Sequence, residues 1–534
     1  MAIPETPVGT VGARDRAATR RLCAGVYLDA RFRTAVIHGV YNARRRRVAP
    51  SYGYDLVPVL AHAWRAWWLS TVEDALFLAL FCAAFVMRPA AAFFATAVLV
   101  DLALLGSVVR RLSRRWSDLR TGTDTGTDTD DESRPEQSVV TLREGLALAA
   151  LATAVALVVL MANDGPRGLV PAALIVVAPC VVLAVSDVLR QLALNRLRRH
   201  LETDRPLRTS RRLSVIDGQQ RHPMVVYSGN EPFIGSGRRL KTWSFAQRLV
   251  ETKGIASEKD VEFAKKPFPT WDLVEELRRA IAALGTEEDP ETRLPGLVVE
   301  DSLFVEGRYA QSYADELTAA PDAELIRRML DSPTETARHH LTCRVESWGG
   351  DLVTTIFVHV SLQGRTLYIE FTTCGLAPTR LEYHVVDLVG GTGRRAAFRA
   401  ALTSPRRLPP AGLAPFRLLA AAALLAGSAR AGADSTAASL KRGLNIGASL
   451  SAREIASIEA DESYFQTFDV AKHSKVIERR LLATVGEFLK EHGVDTTEFL
   501  QRATAILNNG IINTGSGNVD VQNTAMGQET SLST

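Results

Sequence analysis

Residues 75–100 read ALFLALFCAAFVMRPAAAFFATAVLV, two apolar runs divided by Arg88 and Pro89. At about 1.5 Å per helical residue, roughly twenty such residues cross a bilayer core of ~30 Å. Proline cannot continue a helix without losing a backbone bond, so the dipeptide marks a turn between two spans. The pattern predicts spans at about 67–87 and 90–109, with Glu73 and Asp74 tolerated near the start of the first. A second pair is expected at about 140–162 and 169–189, joined by Asn163-Asp164-Gly165-Pro166, which is strong turn chemistry. The expectation is two transmembrane hairpins.

Basic residues in short flanking loops favour the cytosolic side. Arg44 to Arg47 and Arg65 precede the first span, Arg110, Arg111, Arg114, Arg115 and Arg120 lie between the hairpins, and Arg190, Arg196, Arg198 and Arg199 follow the fourth. Only Arg88 and Arg167 fall on the other side. Both termini are therefore expected in the cytosol, in a multi-pass protein of the plasma (inner) membrane. Residues 1–66 read as a basic cytosolic segment without a signal peptide, so insertion is expected to start from the first internal span. The five cysteines, Cys23, Cys82, Cys180, Cys343 and Cys374, share no CxxC spacing and read as reduced thiols. A net charge of +4 over 534 residues gives no case for nucleic-acid binding.

Asp101 is the one ionisable residue set deep within a span. A carboxylate there costs several kcal/mol unless it is paired, protonated or facing water. It is the candidate intramembrane polar site, as a structural hydrogen bond to a neighbouring helix or as an ion site. The loop 121–138, with its TGTDTGTDTDD run, reads as disordered; it lacks the ligand spacing of a calcium loop.

A cytosolic α+β domain with an antiparallel sheet is expected at 219–400. Pro223 to Tyr227 reads as a strand, followed by the turn SGNEPFIGSG. Its Ser228, Gly229, Gly235, Ser236 and Gly237 form a candidate loop site, because backbone N–H groups of such loops can cradle phosphate. The loop lacks the Lys-Ser/Thr ending of a P-loop. Helices are expected at about 270–284 and 322–330, then strands at 341–348, 352–362, 366–372 and 381–386 with glycine turns between the first three. A helical module at 401–508 follows. Its Ser451 and Glu454, and again Asp495 and Glu498, have capping-box spacing. The apolar run 418–425 is too short to span. Residues 509–534 form a flexible Asn/Gly-rich tail in which Ile511-Ile512 and Val519-x-Val521 could gain strand structure by pairing with another strand.

The pieces PMVVYSGNEPFIGSG, LVVEDSLFVEGRY, ARHHLTCRVESWGGDLVTTIFVHVSLQGRTLYIEF and EFLKEHGVDTTEF resemble a group of uncharacterised actinobacterial four-helix membrane proteins, which carry a YSGxxPFxGSG-type motif and a cytosolic α+β domain. The resemblance covers about residues 50 to 525. It implies the architecture and no chemistry.

No catalytic, cofactor or metal motif emerges. His339-His340 with Cys343 lacks a second ligand cluster, and neighbouring side chains on a strand diverge. The function expected is a membrane-anchored scaffold or signalling protein acting on the cytosolic side. Its partners would be the bilayer, further copies of itself, and a cytosolic protein met through the C-terminal module or tail. A small oligomeric transporter or channel using Asp101, and a membrane-bound enzyme of unassigned reaction, stay open.

Overall fold

Strands rich in Val, Ile, Thr and Phe, punctuated by glycine turns, build a meander of β4 (Ala337–Ser347), β5 (Leu352–Gln363) and β6 (Thr366–Leu376). The computed structural model describes residues 15–101, 150–198, 210–252, 263, 265–319, 321–332, 335–388, 393–407, 414–430, 436–458 and 464–508. Three further strands, β1 (Met224–Tyr227), β2 (Arg238–Arg248) and β3 (Leu297–Glu306), complete a six-stranded sheet of order β1-β3-β4-β5-β6-β2. The sheet is mixed, since β1 runs parallel to β3 while every other pair is antiparallel. This corrects the expectation of an antiparallel sheet. β1 reaches β3 only after a long crossover through β2 and a helix, whereas a hairpin turn would have imposed antiparallel pairing. The expected strand 381–386 is a 3-10 helix, with Tyr383 and Val386 buried.

β5 is buried on both faces over Leu352 to Leu362. On one face lie helices that the sequence sets far apart. They are α8 (Thr270–Ala283), α12 (Tyr464–Glu491) and α13 (Thr497–Asn508), taking α9 (Ala323–Asp331), α10 (Arg394–Thr403) and α11 (Ala414–Arg430) in between. Leu277, Ile281, Leu481, Val485 and Phe499 join Ile356, Val358, Ile369 and Phe371 in one core. The helices expected as a separate C-terminal module thus share the hydrophobic core of the sheet. Just beyond the end of α12 comes Gly493, whose φ of +69° accommodates the chain reversal.

The N-terminal region is likewise more than a basic segment. α1 (Asp15–Leu28), α2 (Ala30–Val36) and the opening turns of α3 (Leu56–Met87) bury Leu22, Phe32, Val36, Val59, Leu60 and Ala63 together with Tyr383 and Leu424. Asp55 caps α3, its carboxylate accepting from Val57 N at 3.0 Å. The helix therefore begins at Leu56 rather than near Trp67, because its first turns belong to this core. α7 (Arg211–Gln220) contributes Leu213 and Ile216 to the same cluster.

Two helices are long and apolar enough to cross a membrane by length and composition, Leu56–Met87 and Gly165–Arg198. The second includes α6 (Leu169–Arg198). Between them lie α4 (Pro89–Asp101) and α5 (Ala150–Asn163). The rest of the expected second and third spans, the loop 121–138 and the tail 509–534 lie outside the described residues.

A close backbone approach ties the chain after α11 to the sheet. Ala448 N donates to Val226 O at 2.8 Å and Ser228 N to Ala448 O at 3.0 Å. A Cβ at Gly447 would sit 2.1 Å from Tyr227 O. Gly447→Ala should force these segments apart and destabilise the domain by about 1–3 kcal/mol, read as a lowered midpoint in thermal unfolding.

Candidate functional site

The glycine-rich turn between β1 and β2 uses its backbone donors internally. Gly235 and Gly237 both take positive φ, 95° and 84°, so their N–H groups converge, and each donates to Glu454 Oε1, at 2.7 and 3.0 Å. A carboxylate of the chain itself thus occupies the anion cradle. Burial raises the Glu454 carboxyl above its ordinary value, and the bonds from the two amides offset only part of that rise. Ser236 donates to Phe233 O. Ser228 Oγ accepts from Asn445 Nδ2 at 3.2 Å and from Arg46 at 3.5 Å, and Gly229 sits at φ +75° with open space around it. Four of the five loop residues are therefore held by bonds within the protein.

Sequence spacing suggested that Glu454 would close a capping box with Ser451. Only half of that box forms: Ser451 Oγ accepts from Glu454 N, and the Glu454 side chain leaves for the glycine turn. Its neighbour Arg453 is fully buried and donates to the carbonyls of Gly350 and Asp351, at 3.0 and 2.5 Å. Residues 453 and 454 thereby fasten two distant turns of the sheet. Beside them opens a cleft of about 630 Å³ lined by Asn230, Glu231, Arg238, Arg239, Cys374 and Ser457 among others. Burial pushes the Cys374 thiol up to about 11, away from the reactive thiolate form.

His339 and His340 do diverge across the sheet. His339 Nε2 lies 2.7 Å from Asp301 Oδ1, and Arg278 holds both Asp301 oxygens at 2.7 and 2.8 Å. Burial alone would raise the Asp301 carboxyl, but His339 and Arg278 outweigh it and hold it at about 2. His340 is buried among Phe233, Phe304 and Phe357, its ring centroid 5.1 Å from that of His359. Burial, followed by the nearby His359, lowers His340 well below the ordinary histidine value. Among the described residues no group of three or more His, Cys, Asp or Glu could hold a metal.

Asp101, at the end of α4, finds a partner on α5: Thr153 Oγ1 donates to Asp101 Oδ2 at 2.6 Å.

Among the described residues a charged constellation that sequence reading passed over joins the middle of α3 to the last turns of α6. Glu73 on α3 is nearly inaccessible. It accepts from Arg190 of α6 at 2.8 Å, from Arg407 at 2.8 Å and from Ser186 at 2.5 Å. Arg190 and Arg407 also hold Asp187, the first at 3.0 Å. On the next residue of α3, Asp74 pairs with Arg417 of α11, Nε lying 2.9 Å from Oδ2. Ser70 accepts from Arg33 and Arg190, at 3.2 Å each. Arginines that follow the sheet in sequence thus neutralise carboxylates of the apolar helices. The legible signal was Glu73-Asp74 inside an otherwise apolar run, a pairing that needs cationic partners.

A family model, the AbeC-like domain, matches residues 242–522. No curated protein and no solved structure matches the chain.

Two outcomes check this geometry. Glu454→Ala strands the Gly235 and Gly237 donors, the first of them buried, and should cost about 1–3 kcal/mol, whereas Glu454→Gln keeps an oxygen acceptor and should cost less; thermal unfolding of both variants decides. For His340, the folded value lies below the unfolded one, so the unfolded chain binds more protons as pH falls below about 6.5. Stability contributed by neutral His340 should therefore decline on acidification below that pH. His340→Phe should shallow the decline in melting temperature between pH 7.5 and 5.5, compared with the unaltered chain.

Proposed function

The chain belongs to the AbeC-like domain family, and on that premise we propose that it is a multi-pass, membrane-anchored scaffold or signalling protein whose sheet domain acts on the cytosolic side. The observation that carries this reading is the junction in which Glu73 of α3 is bound by Arg190 of α6 and by Arg407 beyond the sheet. Such bonds make the arrangement of the apolar helices and the packing of the soluble domain depend on each other. A change on either side must break or re-form buried ion pairs to be felt on the other, and breaking one by removing a partner costs about 3–5 kcal/mol when fully buried.

Membrane insertion is supported by what the helices leave uncovered. Val86, Met87, Val158, Val170 and Leu174 are each more than 60% exposed, on helices that carry few charges. An apolar surface of that extent calls for lipid or protein cover. Basic flanks argue for cytosolic termini. The bond from Thr153 to Asp101 favours a structural role for that carboxylate, joining α4 to α5. Association with further copies or with a cytosolic protein is assigned to the tail. Its Ile511-Ile512 and Val519-x-Val521 have too little apolar area for a stable isolated hairpin and can gain strand structure by backbone pairing.

Hydrogen exchange and cross-linking on the full chain in lipid nanodiscs test both parts. Glu73→Gln should accelerate exchange in α3, in α6 and in the segment 393–407 together. Exchange altered only within a turn of Glu73 would mean that helices and domain are independent. In the same preparations Val519→Pro, which removes a backbone donor, should abolish cross-linked oligomers without changing the melting temperature. Oligomers retained in that variant would rule out association through the tail.

A further inference from the structure

β2 is an edge strand, hydrogen-bonded to β6 on one side, and its other edge carries a specific pattern of occupancy. Leu249 N donates to Arg365 O at 2.8 Å, which points the odd-numbered residues of this stretch toward β6. In an antiparallel ladder the even-numbered residues then present their N–H and C=O groups outward. The chain covers the far end of this outward edge as it returns along the strand. Val250 O accepts from Asp495 N at 2.9 Å. Two outward positions back, past Arg248, Ala246 O accepts from Arg502 Nη1 of α13 at 2.8 Å. Among the described residues, nothing bonds the outward backbone groups of Thr242 and Ser244.

α13 delivers the chain to that open stretch. Phe499 packs on Phe245, with ring centroids 5.6 Å apart. At the other end, Leu507 O accepts from Lys475 Nζ at 3.1 Å, and Lys475 shares Glu478 with Lys241 of β2, at 3.4 and 2.5 Å. The chain thus leaves α13 at Asn508 near the level of Lys241. Three residues later comes Ile511, within a reach of about 10 Å at ~3.3–3.6 Å per residue.

We propose that the C-terminal segment 509–522 docks in its own chain along the outer edge of β2, with Ile511 to Thr514 over Thr242 to Ser244. The proposal rests on the reading of the tail as a strand-pairing segment and adds what holds that segment before it meets another copy. Two observations name the occupant. The family match begins within β2 and ends at residue 522, so the two segments bound one unit. Arg238, Arg239, Lys241 and Arg248 line the edge strand, and such charges discourage pairing with an untethered strand. A tether of a few residues raises the effective concentration to the millimolar range and overcomes that discouragement. A docked segment has its backbone groups occupied, so docking sets the threshold at which the tail pairs with another copy.

Amide hydrogen exchange at Thr242 and Ser244 reads the docking directly. The full chain, a chain ending at Asn508 and the full chain with Ile512→Pro are compared in the same detergent. Exchange at these two amides should be about tenfold or more faster in both altered chains, and in the full chain it should not change on hundredfold dilution. Equal rates in the full and shortened chains overturn the proposal. Protection that vanishes on dilution also overturns it, and assigns the edge to a second copy's tail. Cross-linking at high concentration separates the two readings: association lost on shortening with unchanged exchange removes the docking alone. Changed exchange with association untouched by Val519→Pro removes the associating tail alone.

Discussion

Glu73 sits in the middle of a helix whose other residues are mostly apolar, and its carboxylate is almost fully removed from solvent. A charge in that position is tolerated only with cations and donors close at hand. Arg190 and Ser186 supply them from α6, and Arg407 from the segment that follows α10. Asp74 repeats the demand one residue on and is met by Arg417 of α11. Two adjacent acidic residues therefore dictate where three remote parts of the chain must lie. The apolar helices cannot pack on one another while leaving the segments after the sheet elsewhere, because two carboxylates would stay buried without counterions.

Further from the junction the same logic operates with hydrogen bonds. Gly235 and Gly237 present donors that need an acceptor, and Glu454 brings one from a part of the chain over two hundred residues away. Arg453, adjacent to it and buried, satisfies the carbonyls of the β4–β5 turn. Because the two residues are neighbours, the turn after β1 and the turn after β4 are positioned by one short helix, Ala452–Ile455. The glycine-rich motif is accordingly a structural clasp in this chain, and its N–H groups are not available to an anion while Glu454 is in place. The cleft beside it lies open, lined by Arg238, Arg239 and Glu231 among others.

The sheet separates two chemistries. One face carries the aliphatic and aromatic core shared with α8, α12 and α13, where burial of apolar surface contributes most of the stabilisation. The other face holds Phe357, Phe304, Cys374 and Ile234 with the buried His340 and His359 beside them. The two histidine rings fill that region among the phenylalanines, and His359 Nδ1 lies 2.7 Å from His339 O.

Much of the local structure was legible from residue types alone. Alternating β-branched residues and glycine turns marked β4, β5 and β6, and the helix expected at 322–330 forms as α9, with the Asp322 side chain accepting from Leu325 N. Apolar runs marked the long helices α3 and α6, because length and composition are properties of a segment by itself. Direction and partnership were not legible. β1 and β3 pair in parallel because the chain travels through β2 and α8 between them, and no residue in either strand records that path. Residues 381–386 carry the composition of a strand, yet they fold as a 3-10 helix because Tyr383 packs against Phe32, with ring centroids 5.7 Å apart. Ser451 and Glu454 announced a helix start, and the Glu454 carboxylate was drawn away by two amides the spacing could not foresee. What a sequence determines by itself is the conformation that nearby residues favour; which distant charge or donor a buried group must meet is decided only when the folded chain removes both from water.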